Sequence, residues 1–239
     1  MLIEKILESL PHENTPVRSI VSGLHWTAVS SRYCGLASSL WSEGLSEVAS
    51  PNTARLSTLP AEQLASYALS DNYLESAIGM AALNSLLDPT ALSPVELNAY
   101  DWLLTEGVGK DIAVIGHFPF VERIKDVAKN LWVIEKNPRP GDYPASETGN
   151  LLPKASIVAI TGSAFVNHSI DEVLSYCNPN SSVMVLGPST PLTPILFDYG
   201  ISILSGSQVI DERGVQQAVQ NGATFHELKG VKRITIRKP

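Results

Sequence analysis

The sequence predicts an α/β protein in which a small α+β unit precedes a larger, mostly parallel sheet with helices on both faces. Two observations carry this prediction. The leading 88 residues read as strands followed by helices, whereas from about residue 93 short strands alternate with helical segments. Those later strands are apolar runs of Val and Ile, which are typical of a buried parallel sheet. We therefore expect one domain over residues 1–88 and a second over residues 89–239.

In the leading unit, helical spacing of apolar residues from Leu2 to Leu10 predicts a first helix, which Pro11 ends. A hairpin with Gly23 in its turn and a third strand follow. The predicted strands are Val17 to Ser22, Trp26 to Ser31 and Cys34 to Leu40. A turn-rich stretch, Ser42 to Leu59, comes next. Two helices end the unit, at Pro60 to Leu69 and Tyr73 to Leu87. The second is capped by Asp71 or Asn72, and its small residues let it lie close to a neighbour.

In the second unit, Ser93, Pro94 and Glu96 form a capping-box pattern that predicts a helix reaching Glu106. Six strands are predicted, at Ile112 to Ile115, Leu131 to Glu135, Ser156 to Ile160, Ser182 to Leu186, Ile201 to Leu204 and Arg233 to Ile236. Further helices are predicted at 119–129, 169–177, 191–199 and 211–221. Ser169 with Glu172 reads as a capping box, and Thr190 with Pro191 as a helix start.

The composition narrows the function classes. The net charge of −7 opposes a nucleic-acid role, because phosphate binding needs a basic patch, and the basic stretch Lys229 to Lys238 reads as an edge strand. Cys34 and Cys177 lack CxxC spacing, which argues against a disulfide framework or structural zinc. No segment reaches the ~18 apolar residues of a membrane span, and the N-terminus does not read as a signal peptide. We expect a cytoplasmic protein without membrane or nucleic-acid partners.

Candidate ligand-binding residues follow the first two strands of the large sheet, because open parallel sheets bind ligands beyond the carboxyl ends of their strands. Gly116 permits a tight turn, and His117 stands beside a predicted helix start that attracts anions. A packing role is the alternative for His117. Glu135 lies about 20 residues beyond Gly116, as does the ribose-binding acid of dinucleotide folds. A structural salt bridge is the alternative there, and the missing GxGxxG pattern argues against orthodox NAD binding.

Polar loops also follow the third and fourth strands of this sheet. The candidate residues are Thr161, Gly162 and Asn167 in one loop, and Gly187, Ser189 and Thr190 in the next. Together these loops predict a site for a small polar or phosphorylated ligand. Helix capping alone would also explain Thr190.

Five short segments combine glycine with small or polar residues. They are Gly35 to Ser39, Asn72 to Asn84, Gly116 to Pro119, Thr161 to Asn167 and Gly187 to Pro191. Together they resemble the putative heavy-metal-chelation family, a bacterial and archaeal family of unknown function. The resemblance covers nearly the whole chain. It implies an enolase-N-terminal-like leading domain, a Rossmann-like three-layer second domain, metal handling, and a site in the cleft between the domains where Asn72 and Glu75 meet the polar loops.

The leading hypothesis is therefore a small-molecule or metal-ion binding protein, with or without catalytic activity, whose site lies between the domains. If a divalent metal binds, His117 and Glu75 are the candidate ligands, and they favour a hard or borderline ion. Cys34, which stands beside the Gly35 segment, reads either as a further ligand or as a small buried thiol, and we favour the buried thiol. Two alternatives are a nucleotide- or S-adenosylmethionine-dependent transferase, in which Glu135 holds a ribose, and a non-catalytic module that delivers a metal or cofactor. A homodimer is compatible with the pattern.

Overall fold

The computed structural model describes residues 1–41, 53–91, 93–95 and 98–239. The elements of its leading part are α1 (Leu2–Glu8), β1 (Ser19–Ser22), β2 (Trp26–Ser30), β3 (Cys34–Ser38), α2 (Thr53–Leu56), α3 (Ala61–Ala65) and α4 (Tyr73–Leu86), with a 3-10 turn at Ser66–Leu69. The strands form an antiparallel sheet of order β1-β2-β3. These elements confirm the predicted helices and strands. Of the predicted turn-rich stretch, residues 42–52 lie outside the described residues, and Thr53–Leu56 are helical.

The remaining elements build the large sheet and its covering helices. They are α5 (Ala99–Glu106), β4 (Asp111–Ile115), α6 (Val121–Lys125), β5 (Asn130–Glu135), β6 (Tyr143–Pro144), α7 (Thr148–Leu151), β7 (Ile157–Thr161), α8 (Ser163–Val166), α9 (Ile170–Tyr176), β8 (Ser182–Leu186), β9 (Ile201–Val209), α10 (Glu212–Gln220) and β10 (Val231–Arg237). All six predicted strands are present, and β6 is an additional short one. Across the described ranges, every helix is too short or too polar to serve as a membrane span.

The large sheet has the order β10-β9-β8-β7-β4-β5-β6. Strand β10 is antiparallel to β9, and the other neighbouring pairs are parallel. The predicted α/β class with a mostly parallel sheet is therefore confirmed. The strand order reverses at β4, which has β5 on one side and β7 on the other. In open sheets of this kind, ligands bind beyond the carboxyl ends of the strands at the reversal.

Helices cover both faces of the large sheet. On one face, Ile112 of β4 packs with Leu103 of α5 and Ile124 of α6. The next residue, Ala113, points to the opposite face and joins the core cluster that contains Phe165 of α8. Because side chains alternate along a strand, a sheet buried on both faces needs apolar residues at nearly every position. This explains the Val- and Ile-rich runs and produces three layers.

The three-stranded sheet is also buried on both faces, and it shares its core with the large sheet. Val29 and Ala37 belong to the same cluster as α4 and the large-sheet residue Val158. On the other face, Ala28 and Leu36 pack with α10 and with the ends of β9 and β10. The two sheets are therefore joined by continuous apolar packing. The division into domains at residue 88 stays a prediction.

Helix α4 lies directly against β3 because Gly35 has no side chain. A Cβ atom at Gly35 would lie 2.2 Å from the carbonyl oxygen of Ala81 and 2.4 Å from the nitrogen of Ser85. Along α4, Ala77, Ala81 and Ala82 are fully buried. The close approach of helix and strand thus depends on small residues in both.

The predicted helix start at Ser93 is wrong. The helix begins at Ala99, and the Asn98 side chain caps it by accepting a hydrogen bond from the Tyr100 nitrogen at 3.0 Å. Upstream, Val95 forms an isolated antiparallel bridge with Thr235 of β10. The free edge of β10 therefore holds this segment extended, and Glu96 lies outside the described residues.

Two other predicted helix starts are also wrong. No α-helix forms over 191–199, where the described backbone has a 3-10 segment at Pro194–Tyr199. The residue before it, Thr193, is extended, as expected for a residue that precedes proline. Helix α9 is present, but Ser169 does not cap it with its side chain. The Ser169 hydroxyl instead donates to Asn167 Oδ1 at 2.6 Å.

Candidate functional site

The loops after β4, β7 and β8 pack on one another at the sheet edge where the strand order reverses. A Cβ atom at Gly116 would lie 3.0 Å from the Thr161 side chain, and one at Gly162 would lie 2.7 Å from Thr190 Oγ1. Gly116 and Gly187 have φ values of 99° and 118°, which residues with a Cβ rarely adopt. The glycines singled out in the sequence thus permit close packing at this edge.

Beside these loops lies a cavity of about 800 Å³, termed the cleft below. The large sheet contributes Leu186, Ser205, Ser207 and Thr235 to its lining. The end of β7 contributes Thr161, and the loops after β7 and β8 contribute Gly162, Gly187 and Ser189. From the leading sheet come Trp26 and Ser38. Residues of both sheets therefore line one cavity at the carboxyl ends of the strands.

The cleft exists because the connection between β8 and β9 packs on the other face of the large sheet. Leu192, Leu196 and Phe197 of this connection join the cluster that contains α4. On the cleft side, Leu103 and Ile124 of α5 and α6 pack on the central strands. The cleft is accordingly lined by the end of β8 and by inner residues of β9 and β10, together with α5 and the leading sheet.

Aromatic rings stand on two sides of the cleft. On one side, Phe118 and Phe120 stack with their ring centroids 4.9 Å apart, and Tyr100 lies 5.4 Å from Phe120. On the other side, Trp26 and Phe225 lie 5.7 Å apart. Phe118 and Phe120 follow β4, and Phe225 precedes β10. The strands β7, β8 and β9 lie between β4 and β10 in the sheet. The cleft therefore has one aromatic group on each side.

The charged groups along the cleft are cationic. Arg123 lies on the side of the stacked rings and donates from Nη1 to the Tyr100 hydroxyl at 3.2 Å. Arg233 lies on the other side, with its guanidinium carbon 5.3 Å from the centre of the Phe225 ring. His226 is the other titratable nitrogen base in the lining. Among the described residues, no Asp or Glu lines the cleft.

Two polar atoms of the lining residues are buried without a hydrogen-bond partner. They are the indole Nε1 of Trp26 and the hydroxyl of Ser207. A buried polar group left unpaired costs about 1–3 kcal/mol, so such groups are usually satisfied by water or by a ligand. Both groups are enclosed by protein, and Ser207 also borders the smaller cavity described below.

Ser189 joins the loop after β8 to the leading sheet. Its hydroxyl accepts a hydrogen bond from the Ser38 nitrogen at 2.7 Å and lies 2.9 Å from the Ser38 hydroxyl. Asn84 of α4 reinforces the joint, because its Nδ2 donates to the carbonyl oxygens of Leu36 and Ser189 at 2.9 and 3.3 Å. Ser189 thus holds the two sheets together as well as lining the cleft.

Thr190 lies outside the cleft and beside a smaller cavity of about 40 Å³. Cys34, Asn84 and Ser207 also line this cavity. Three polar atoms of these lining residues are buried without a hydrogen-bond partner among the described residues: Asn84 Oδ1, Thr190 Oγ1 and Ser207 Oγ. The volume and the polar lining suit ordered water. Thr190 therefore lines this small cavity and does not cap a helix.

His117 and Glu135 lie at the strand ends but not in the cleft lining. The two Glu135 oxygens accept hydrogen bonds from the backbone nitrogens of His117 and Lys136 at 2.7 and 3.1 Å. His117 Nδ1 lies 3.1 Å from Asp142 Oδ2, which also accepts from the Arg139 nitrogen. Glu135 and Asp142 therefore hold the loop after β4 in place. Sequence reasoning missed Asp142, which lies in a loop without a recognisable pattern.

Asn72, Glu75 and Asn167 make local hydrogen bonds away from the cleft lining. Asn72 caps α4, because its Oδ1 accepts from the nitrogens of Leu74 and Glu75. The Glu75 carboxylate accepts from the Ser70 hydroxyl at 2.6 Å. Asn167 Oδ1 accepts from the backbone and hydroxyl of Ser169. The structure therefore does not bring these three side chains together with the residues that line the cleft.

Comparison with known proteins identifies the family. Residues 98–238 match the model of DUF364, a family described as putative heavy-metal chelation. The chain belongs to this family. Residues 3–87 match a second family, DUF4213, which carries the same description. The resemblance inferred from the five sequence segments is thereby confirmed.

Two solved structures of DUF364 proteins of unknown function share the fold. The one from Desulfitobacterium hafniense is 26% identical, with a TM-score of 0.84 over 99% of this chain and 97% of its own. The one from Pyrococcus horikoshii is 19% identical, with a TM-score of 0.83 over 99% and 98%. An uncharacterized protein of Methanocaldococcus jannaschii is 27% identical over an alignment of 163 residues, and the match covers 63% of this chain. The match spans 61% of that curated relative.

The described side chains do not fit the chelation that the family description suggests. Within the described ranges, no group of three or more His, Cys, Asp and Glu residues could hold a metal ion. His117 and Glu75, the two predicted ligands, belong to separate hydrogen-bond networks. Burial raises the pKa of Cys34 and of Cys177 to about 11, whereas metals bind the thiolate.

Proposed function

We propose that the protein binds a small organic molecule in the cleft between the leading sheet and the strand ends of the large sheet. The observation that carries this proposal is a cavity of about 800 Å³ lined by both sheets and by the loops after β7 and β8. Ligand pockets commonly enclose about 300–1,000 Å³. The position also agrees with the general rule for open α/β sheets.

The lining supports an organic ligand over a bare ion. Ligand pockets are mostly apolar and aromatic, with a few convergent polar groups that fix orientation. The cleft has five aromatic residues, and its polar groups include Thr161, Ser163 and Ser189. Of the ten ligand-binding residues expected from the sequence, Thr161, Gly162, Gly187 and Ser189 line it. A module that delivers its ligand without turnover would use the same cleft.

The nucleotide-dependent alternative has less support. It requires the Glu135 carboxylate to hold a ribose, but both carboxylate oxygens already accept backbone hydrogen bonds. Metal binding by His117 and Glu75 requires two networks to be rearranged. We therefore favour the cleft as the functional site. A homodimer, a cytoplasmic location and the lack of nucleic-acid partners stay predictions.

The proposal is tested by filling the cleft. Ser207→Phe places a ring at a cleft residue whose hydroxyl has no partner, so no hydrogen bond is lost. A thermal-shift panel would compare aromatic acids and amides, nucleotides, nicotinamide cofactors, S-adenosylmethionine and divalent metals on metal-stripped protein. A ligand at 100 times its Kd stabilises by about 2.7 kcal/mol, or roughly 5–10 °C for a chain of this size. We expect an organic ligand to give this shift in the wild type and to lose it in Ser207→Phe.

The matched control is Ser175→Phe, on the exposed surface of α9. It should retain the ligand-induced shift. A shift that persists in Ser207→Phe would place the ligand elsewhere. Stabilisation by metals alone, abolished by His117→Ala, would contradict the proposal and favour chelation.

A further inference from the structure

The charge along the cleft is opposite to that of the whole chain. The chain has 24 Asp and Glu residues against 17 Lys and Arg residues. Among the described residues that line the cleft, however, Arg123 and Arg233 occur without any acid. An acidic protein that surrounds one cavity with cationic groups creates a local positive potential there, which favours an anionic ligand.

The two guanidinium groups are available for such a ligand. Elsewhere, Arg18 and Arg32 form salt bridges with Glu212 and Glu13. In the described part of the chain, by contrast, neither Arg123 nor Arg233 pairs with a carboxylate. Their aromatic neighbours hold them at the cleft while leaving N–H donors free. The planar guanidinium fork matches carboxylate, sulfonate and phosphate oxygens.

The aromatic groups of the lining complement a planar body. The stacked rings of Phe118 and Phe120 and the pair of Trp26 and Phe225 offer flat apolar surfaces. Aromatic faces favour stacked or edge-on contacts with another ring. The indole of Trp26, whose Nε1 is a pure donor without a partner among the described residues, belongs to this surface.

From these three features we infer that the ligand of the cleft is an organic anion with a planar aromatic body, whose charged group binds Arg123 or Arg233. This inference rests on the proposed function, because it names the ligand class of the same cleft. It also gives a physical reason why metal cations do not suit this cavity.

The test uses pairs of probes that differ only in charge. Suitable pairs are benzoate and benzamide, 2-naphthoate and 2-naphthamide, and indole-3-acetate and indole-3-acetamide. Titration calorimetry on the full chain measures the Kd of each probe. Hydrogen bonds to charged groups contribute more binding free energy than neutral ones. At least one carboxylate should therefore have a Kd about tenfold lower than that of its amide. The preference should shrink as the salt concentration rises, because the sites are exposed.

Variants of the two arginines show which guanidinium group binds the carboxylate of the probe. Arg123→Met or Arg233→Met, or the double variant, should weaken carboxylate binding about tenfold and leave amide binding nearly unchanged. Arg213→Met removes an exposed arginine of α10 that does not line the cleft and should change neither Kd. Melting temperatures verify that the variants are folded.

Two results would overturn the inference while leaving the proposed function intact. They are equal binding of acid and amide in every pair, and carboxylate binding that survives loss of both arginines. Failure of every carboxylate to bind also overturns the inference, whereas probe binding that is unchanged in Ser207→Phe overturns the proposed function together with it.

Discussion

Cys34 and Cys177 show how burial controls the chemistry of single residues. Both thiols are partly buried, and the loss of hydration raises the pKa of each to about 11. A free thiol has a pKa of about 8.5. Because the pKa is raised in the folded state, the protonated thiols stabilise the fold fully below about pH 8.5. That contribution is lost as the pH rises towards 11.

We expect both thiols of the folded protein to react slowly with iodoacetamide at pH 7–8. The reactive species is the thiolate, and a pKa of about 11 leaves little of it at that pH. The rate of alkylation, followed by mass spectrometry, should rise steeply up to about pH 11. The same chain unfolded in denaturant is the control and should react as free cysteine does. Fast alkylation of the folded protein at pH 7 would show that the thiols are activated. That result would support metal binding by the Cys34 or Cys177 thiolate.

At the scale of elements, the contact between α4 and β3 positions one side of the cleft. The close approach at Gly35 brings Asn84 within reach of Leu36 and Ser189. Through Ser189, this contact fixes the loop after β8 against the leading sheet. A change in the spacing between helix and strand should therefore reach the cleft.

Gly35→Ala should lower the free energy of unfolding by about 1–3 kcal/mol, the usual range for overpacking a tight core. The reason is that the new methyl group would lie 2.2 Å from a backbone oxygen, which cannot rotate away. For a chain of this length the melting temperature should fall by about 2–4 °C per kcal/mol. Chemical denaturation measures the change directly. Gly149→Ala is the control, because its Cβ would meet the Tyr176 ring at 3.2 Å and that side chain can move. An equal effect of both substitutions would contradict the explanation.

At the scale of the whole molecule, the shared core makes the two sheets depend on each other. One apolar cluster runs from Val29 of the leading sheet through α4 to Val158 and Leu204 of the large sheet. On the other side of the leading sheet, Leu36 packs in the cluster that contains α10. Neither sheet can unfold without exposing apolar surface of the other.

We therefore expect a single cooperative unfolding transition. Circular dichroism and tryptophan fluorescence should give the same midpoint, and the calorimetric and van't Hoff enthalpies should agree. Leu36→Ala should lower the stability by about 2–5 kcal/mol without splitting the transition. Leu24→Ala, at a residue that is 59% exposed, is the control and should have little effect. Two separate transitions would contradict the shared core and support two independent domains.

Much of the fold was predictable because it depends on local patterns. Apolar periodicity located the strands of both sheets, and the small residues of α4 indicated a close neighbour. The predictions failed where contacts between residues far apart in the sequence determine the backbone conformation. Val95 is extended because it pairs with Thr235 at the edge of β10, which no local pattern reveals. The segment after Thr190 has helix-start residues, yet its prolines and its packing produce a 3-10 segment.

The α/β class, the family and the polar loops at the strand ends follow from the amino-acid sequence, because each rests on short-range spacing or on ordered motifs. Which of those residues share a cavity depends on the three-dimensional fold. Thr161 and Ser189 line the cleft, whereas Glu135 and Asn72 accept backbone hydrogen bonds away from it, and Glu135 thereby holds the loop of His117. The fold also brought Trp26, Arg123 and Arg233 to that cavity. These residues are far apart in the chain, and only the strand order and the uncovered sheet face place them around one space.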